Sequence, residues 1–268
     1  MNFGQRSLSH PLLVEAIEDL FHPVLTYNNK ESDAATMKRF GEPTWNNPVV
    51  RYLDGEAADV IPREDGVWSI GGTAARAIRA LDAAGREVPD WLRLVAAESR
   101  TDLSTATFAM HCFWEGEARL GGLDGVSTTR VGWLDGLEVV DVTFDAEVIP
   151  FERLKERAAE LQCATRVWAP DEERGAIGDA KLSDEKHSLR RAALRHLPLT
   201  PSQATKVNAA LRLGTDVDRW LSPRQRRLRT RVGATLAARP EALRELTPPT
   251  QVNELADYAE RLETALTD

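Results

Sequence analysis

The chain has 268 residues, which is enough for two or three domains with separate cores. Its 34 basic and 42 acidic residues leave a net charge of −8, which argues against a general affinity for nucleic acid. No apolar run is long enough to cross a bilayer, and residues 1–25 lack the three parts of a signal peptide. We therefore expect a cytoplasmic protein that binds neither nucleic acid nor membranes.

The chain has two cysteines, Cys112 and Cys163, and five histidines that are scattered singly. Two cysteines cannot form a disulfide scaffold, and neither belongs to a paired-cysteine zinc pattern. The histidines show no metal-ligand spacing. We expect no metal and no cofactor, so each cysteine needs its own explanation.

Residues 1–86 alternate helical and extended patterns. Ser9 can cap a helix whose apolar stripe is Leu12, Leu13, Ala16, Ile17 and Leu20. Further along the chain the patterns predict a strand over 23–27, a helix over 33–40, and strands over 49–53 and 58–61 around a turn at Asp54-Gly55. A last helix contains Ala74, Ala77, Ile78 and Leu81 and ends near Gly85.

This order, with Pro48 before a pair of strands and a closing helix, resembles the thioredoxin fold, in which a cis-proline takes that position. Thioredoxins begin with a further strand and a Cys-x-x-Cys turn. One interpretation is an inactive, cysteine-free thioredoxin-like domain. The other is that Met1 is an internal start, and that an upstream strand and redox turn precede it, as in thioredoxin-like selenoproteins with a Val-Pro-Gly-selenocysteine motif, which residues 3–18 resemble.

A short helical connector is expected over 87–103, and the next segment contains the chemistry. Residues 105–112 alternate as a strand does, and 113–123 then follow a helical pattern. Cys112 therefore falls at a helix N-terminus, where free backbone amides and the helix dipole favour a thiolate. The alternative is that Cys112 is a small apolar core residue.

Three sequence stretches in residues 107–152 carry a more specific signal. They read Thr-Phe-Ala-Met-His-Cys-Phe-Trp-Glu-Gly-Glu from Thr107, Leu-Asp-Gly-Val-Ser-Thr-Thr-Arg-Val-Gly from Leu123, and Glu-Val-Val-Asp-Val-Thr-Phe-Asp from Glu138. In this order they resemble the A-type peptide-methionine sulfoxide reductases, whose signature is Gly-Cys-Phe-Trp-Gly-x-Glu. The resemblance covers approximately residues 105–168.

The resemblance implies a role for each matching residue. Cys112 matches the nucleophile, Phe113 and Trp114 match the aromatic pair that holds the substrate methyl group, and Glu138 matches the catalytic acid. A methyl sulfoxide has an apolar methyl group and a polar oxygen, so an aromatic wall opposite a proton donor suits it. For Glu138 the alternative is an exposed strand end with no role.

The sequence departs from the family at several positions. His111 and Glu115 stand where glycines are usual, and a long loop that contains a tyrosine is reduced to residues 133–137. The family's downstream tyrosine segment is not recognisable. Trp133 and His111 are candidates to replace the missing oxygen-binding groups, although His111 is expected on the opposite strand face.

Cys163 begins a predicted strand over 163–168 that follows a helix over 151–161. The resemblance places this strand where the family has its tyrosine strand, so Cys163 could resolve a sulfenic acid on Cys112 as a disulfide. Thioredoxin or another thiol would then reduce that disulfide. The alternative is that Cys163 is only a buried small residue.

Residues 171–268 show helix caps and no strand pattern. Thr200-Pro201 with Gln203, and Ser222-Pro223 with Gln225, predict two capped helices, and a last helix is expected from Thr250. A basic cluster of Arg224, Arg226, Arg227, Arg229 and Arg231 is typical of a solvated helix face. We expect this tail to pack on the preceding domain or to serve as an interaction module.

The sequence thus predicts an α/β (α+β) protein with a truncated thioredoxin-like domain (1–86), the connector (87–103), a methionine-sulfoxide-reductase-like domain (104–170) and a helical region (171–268). The function that the resemblance implies is thiol-dependent reduction of methionine sulfoxide, free or in oxidised proteins. A broader thiol peroxidase or disulfide reductase, and a non-catalytic peptide-binding relative, are the alternatives.

Overall fold

A computed structural model describes residues 4, 7–8, 10–43, 45, 48–161 and 164–267. The chain divides into two units, residues 1–96 and 97–268. In the part of the chain described, no helix combines the length and the apolar character needed to cross a membrane.

The first unit is helical. Its helices are α1 (Pro11–Leu20), α2 (Ala34–Phe40), α3 (Ile70–Ala83) and α4 (Asp90–Glu98), with a 3-10 turn at Glu31–Asp33. The core lies where α1, α3 and α4 meet, around Leu13, Leu81 and Trp91. All three helices predicted over residues 1–86 are confirmed. The predicted cap is not, because Ser9 lies outside the described residues and His10 accepts the hydrogen bond from the Leu13 N–H.

The predicted strands of the first unit are wrong. Its described residues contain no β-strand, only a single bridge between Leu53 and Asp59. Val24 and Leu25 are 86% and 74% exposed, so the apolar run over 23–27 has neither a buried face nor a neighbouring strand. The predicted turn at Asp54-Gly55 is present, since the Asp54 side chain accepts hydrogen bonds from two nearby backbone amides and the chain returns antiparallel beside itself, but the pairing does not extend into strands. The structure therefore gives no support to the thioredoxin-like sheet.

His10 makes the first unit sensitive to acid. Burial lowers the pKa of His10 from 6.5 to about 4, so between these values the unfolded chain binds a proton that the folded chain does not. The stability that the neutral form of His10 contributes is therefore fully present above pH 6.5 and is lost as the pH falls towards 4. We expect His10→Asn, which keeps a capping acceptor, to flatten the profile of unfolding free energy between pH 7 and pH 4 by about 3 kcal/mol.

Urea unfolding across this pH range is the measurement, with His22→Asn as the control, since His22 is exposed. Parallel profiles for the native chain and His10→Asn would show that the protonation of His10 is not coupled to folding.

The second unit is built on a five-stranded antiparallel sheet. Its strands are β1 (Ser104–Met110), β2 (Val126–Leu134), β3 (Leu137–Phe144), β4 (Arg166–Trp168) and β5 (Gly178–Asp179), in the order β4-β1-β3-β2-β5. The short strand β5, which pairs with Gly132 and Trp133, was not predicted. A side chain at Gly132 would meet Ile177 and the Gly178 carbonyl, so this pairing needs glycine.

Both faces of the sheet are buried in its central strands. One face packs Phe108 and Val140 against Phe113 and Leu154, which come from helices α5 (Phe113–Gly121) and α6 (Phe151–Glu160). Residues of the opposite face form a smaller cluster of Ala109, Leu134, Val139 and Trp168. The mixed α/β class predicted from the sequence is confirmed.

Strands β2 and β3 are joined by a two-residue turn, Asp135-Gly136. Both residues have positive φ, 52° and 77°, as the tight hairpin turns that match strand twist require. The segment that replaces the family's long loop is therefore a minimal hairpin. Near this turn Trp133 and Leu137 are 44% and 39% exposed.

The tail packs on this sheet domain within the same unit. Its helices are α7 (His187–Arg190), α8 (Pro201–Leu213), α9 (Pro223–Ala238) and α10 (Leu255–Ala265), with 3-10 turns at Ala193–His196, Asp218–Trp220, Pro240–Leu243 and Val252–Glu254. Both predicted capping boxes are present, and Gln203 and Gln225 also hydrogen-bond to each other. Lys206 of α8 donates to the carbonyls of Gly121 and Leu123 at 2.9 and 2.6 Å, which fastens the tail to the end of α5.

Candidate functional site

Cys112 lies between β1 and α5. It is the N-cap residue of α5, with extended backbone (φ −147°, ψ 109°), and its side chain caps no backbone group. The thiol is exposed and free. A strand-to-helix junction thus presents an accessible thiol at the positive end of a helix dipole, as the sequence predicted.

Glu138 reaches the same helix terminus from the sheet. It is the register partner of Met110 at the end of β1, and its carboxylate accepts a hydrogen bond of 2.7 Å from the backbone N–H of Phe113. Phe113 is the residue directly after Cys112. Glu138 is half-buried, so it is not the exposed strand end of the alternative interpretation.

Three aromatic side chains surround this junction. Phe113 is buried, and its ring lies 6.1 Å from that of Trp114 and 5.7 Å, edge to face, from that of Trp133. Trp133 is also the register partner of Glu138. Trp114 and Trp133 remain 39% and 44% exposed, so the cluster has an open aromatic face. The structure brings together Cys112, Phe113, Trp114, Trp133 and Glu138.

A fourth ring in the cluster comes from the tail. The imidazole of His187 stacks on the indole of Trp114, with ring centroids 4.1 Å apart and 16° between the planes. His187 is the first residue of α7 and is separated from Trp114 by more than seventy positions in the sequence. No role for His187 was predicted, because a single histidine in a helical tail shows no pattern that links it to a distant helix.

The residue before His187 forms a buried ion pair. Lys186 donates to Glu117 from its side chain and from its backbone, both at 2.8 Å, and the Glu117 side chain is fully buried. Lys186 also donates to the carbonyl of Thr129 on β2. The left-handed backbone of Lys186 (φ 48°) lets both of its nitrogens reach the same carboxylate.

Asn208 of α8 completes this anchor. Its side-chain oxygen accepts from the backbone amides of Ser188 and Leu189 at 3.0 and 3.1 Å, which caps α7, and its amide nitrogen lies 3.4 Å from Glu117. Glu117 is the last residue of the Cys-Phe-Trp motif. Its carboxylate therefore attaches the tail next to the Cys112 site, through contacts with Lys186 and Asn208.

Lys186→Met is expected to destabilise the chain by about 3–5 kcal/mol, because it leaves the charge of Glu117 buried and uncompensated. Chemical denaturation measures this loss. Lys181→Met is the matched control, since Lys181 is exposed. Adding Glu117→Leu to Lys186→Met removes the orphaned charge and should recover much of the loss; a single variant as stable as the native chain would contradict the anchor.

The remaining predicted residues have different outcomes. Cys163 lies outside the described residues, so its place relative to Cys112 stays a prediction. His111 is exposed at the end of β1. Glu115, where the family has glycine, forms ion pairs with Arg119 of α5 and Arg212 of α8. The salt bridges hold its pKa below the usual range.

No metal site accompanies these groups. Within the described ranges, no group of three or more His, Cys, Asp or Glu side chains could hold a metal ion.

Comparison with known proteins gives one partial match. No family model matches the chain. Over 69 residues it is 33% identical to the peptide methionine sulfoxide reductase MsrA of Methanococcus maripaludis. Part of this chain is similar to an oxidoreductase. The match covers 19% of this chain and 44% of that relative, so the chain spans less than half of the relative's length.

Proposed function

We propose that the chain is a cytoplasmic, thiol-dependent peptide-methionine (S)-S-oxide reductase with Cys112 as its nucleophile. The observation that carries the proposal is the hydrogen bond between Glu138 and the Phe113 N–H, which holds a carboxyl group next to an exposed thiol and an aromatic face. The partial similarity to a methionine sulfoxide reductase supports the same chemistry.

The aromatic face would hold the substrate methyl group. Phe113 is the buried floor, and Trp114 and Trp133 are the partly exposed sides. A methyl sulfoxide that places its methyl group on these rings turns its oxygen towards polar groups, because the oxygen needs hydrogen-bond donors. His187 would act as a positioning residue, since its ring lies against Trp114 and restricts the indole.

The chemical step transfers oxygen from the substrate to the enzyme. The Cys112 thiolate attacks the sulfoxide sulfur, and Glu138 as a carboxylic acid gives a proton to the oxygen. The oxygen moves to Cys112 as the S–O bond of the substrate breaks. Methionine leaves in its reduced form, and Cys112 becomes a sulfenic acid.

Cys163 and an external dithiol would close the cycle. Cys163 would condense with the sulfenic acid, which forms a disulfide with Cys112 and releases water. A dithiol such as thioredoxin would reduce that disulfide by exchange. Oxidised protein is the expected substrate, because Trp114 and Trp133 leave the aromatic face open to solvent.

The test is turnover of each epimer of N-acetylmethionine sulfoxide amide, with dithiothreitol as reductant and formation of N-acetylmethionine amide as the readout. We expect turnover of the S epimer and none of the R epimer. Equal turnover of both epimers, or reduction of peroxide in preference to either, would favour the broader thiol oxidoreductase. No turnover, with Cys112 of ordinary reactivity towards iodoacetamide, would favour the peptide-binding relative.

A further inference from the structure

The helical tail contains a cavity of about 270 Å³ that the proposed chemistry does not use. It lies among α7, the 3-10 turns Ala193–His196 and Pro240–Leu243, and the residues that follow the second turn. Its lining includes none of the aromatic residues or carboxylates of the Cys112 site.

Three arginines line this cavity: Arg190, Arg195 and Arg244. No Asp or Glu belongs to the lining, and no ion pair joins any of the three to a carboxylate in the part of the chain described. Arg190 donates through Nε to the carbonyl of Glu185, and Arg195 donates through Nε to the ring of His196. These bonds orient two guanidinium groups without neutralising them.

His196 is a buried polar residue in the cavity lining. The residue is 4% exposed, its Nε2 accepts from Arg195 at 3.1 Å, and its buried Nδ1 has no hydrogen-bond partner. Burial, and then the charge of Arg195, lower the pKa of His196, and the backbone of Leu246 offsets only part of this. A buried polar atom without a partner is costly unless a ligand or solvent satisfies it.

Apart from Thr247, the rest of the lining is apolar. Pro240, Leu243, Leu246 and Pro248 form this part of the wall. A ligand that suits the whole cavity has a compact anionic group for the arginines and a small apolar body for this wall. Guanidinium groups bind phosphate oxygens in paired hydrogen bonds, and three unpaired positive charges match a dianion better than a monoanion.

We propose that this cavity binds a small organic phosphate monoester, with its phosphate group at Arg190, Arg195 and Arg244 and its organic part on Leu243 and Leu246. The cavity volume of about 270 Å³ accommodates a phosphate group with a single ring. The proposal does not depend on the reaction at Cys112.

Calorimetric titration of the full chain tests the proposal with phenyl phosphate, inorganic phosphate, benzoate and benzyl alcohol. We expect phenyl phosphate to bind most tightly, inorganic phosphate and benzoate more weakly, and benzyl alcohol not at all. Arg195→Gln and Arg244→Gln should each weaken the binding of phenyl phosphate by about tenfold or more. Arg191→Gln, which makes the same charge change outside the cavity lining, should leave it unchanged.

Arg244 is exposed, so Arg244→Gln provides a test even if Arg195→Gln disturbs the contact with His196. Failure of phenyl phosphate to bind at millimolar concentration would overturn the proposal. So would an equal loss of binding in Arg191→Gln and Arg244→Gln, since that would indicate attraction to net charge alone. Benzoate binding as tight as that of phenyl phosphate would overturn the assignment to a dianion.

Discussion

Replacing Cys112 by serine is expected to lower reduction of the S sulfoxide by at least about 10³-fold, because a serine hydroxyl is a much weaker nucleophile than a thiolate and cannot form a sulfenic acid. The fold should not change. The Cys112 side chain is exposed and caps no backbone group, so serine loses no packing at this position. The measurement is the initial rate with dithiothreitol, compared with urea unfolding of the same variant.

Cys163→Ser is the matched control for this change. It removes the other thiol, so it should slow repeated turnover and spare the first chemical step. Retained activity in Cys112→Ser, or loss of the first step in Cys163→Ser with Cys112 intact, would show that the roles of the two cysteines are assigned wrongly.

Glu138→Gln is expected to lower kcat by about 10²–10⁴-fold, the range associated with removing a general acid. The replacement has almost the same shape, and its amide oxygen can still accept from the Phe113 N–H, so the helix terminus keeps its partner. The amide nitrogen cannot deliver a proton to the sulfoxide oxygen. The loss should therefore appear in kcat, with the unfolding free energy close to that of the native chain.

Glu173→Gln is the control for this prediction, because Glu173 is exposed. Turnover by Glu138→Gln at the native rate would mean that the carboxylate serves only to cap α5. A fall in stability in step with the fall in rate would also point to a structural role.

The centre of the second unit could be predicted from the sequence because its signals are local. Alternation marks β1, the strand-to-helix change marks Cys112, and Asp135-Gly136 is a strong hairpin signal. The side chain of Glu138 could be placed near Phe113 only through the family resemblance. Periodicity alone gives its strand face and not the strand that pairs with it.

In the first unit, the local sequence pattern predicted strands that the structure does not contain in its described residues. The runs at 23–27 and 49–53 have the composition of strands, and the helices over the same unit were predicted correctly. A segment with the composition of a strand becomes a strand only when it pairs with a neighbouring strand. In the first unit the helices α1, α3 and α4 form the core around Leu13 and Trp91. The thioredoxin resemblance depended on those strands.

The contribution of the tail could not be predicted because it depends on contacts between distant parts of the sequence. Lys186 and Glu117 are separated by 69 positions, and His187, the next residue after Lys186, stacks on Trp114. Glu117 belongs to a recognisable motif, but the motif does not indicate which residue Glu117 contacts. Lys186 and His187 lie in a polar segment and belong to no motif.

The most direct test of the central claim is a single turnover without reductant. Pre-reduced Cys163→Ser is mixed with an equimolar S-sulfoxide peptide and dimedone, and both products are measured by mass spectrometry. The proposed chemistry predicts reduced peptide in an amount matching a dimedone adduct located at Cys112. Unreduced peptide, with Cys112 unmodified and still open to alkylation by iodoacetamide, would contradict it.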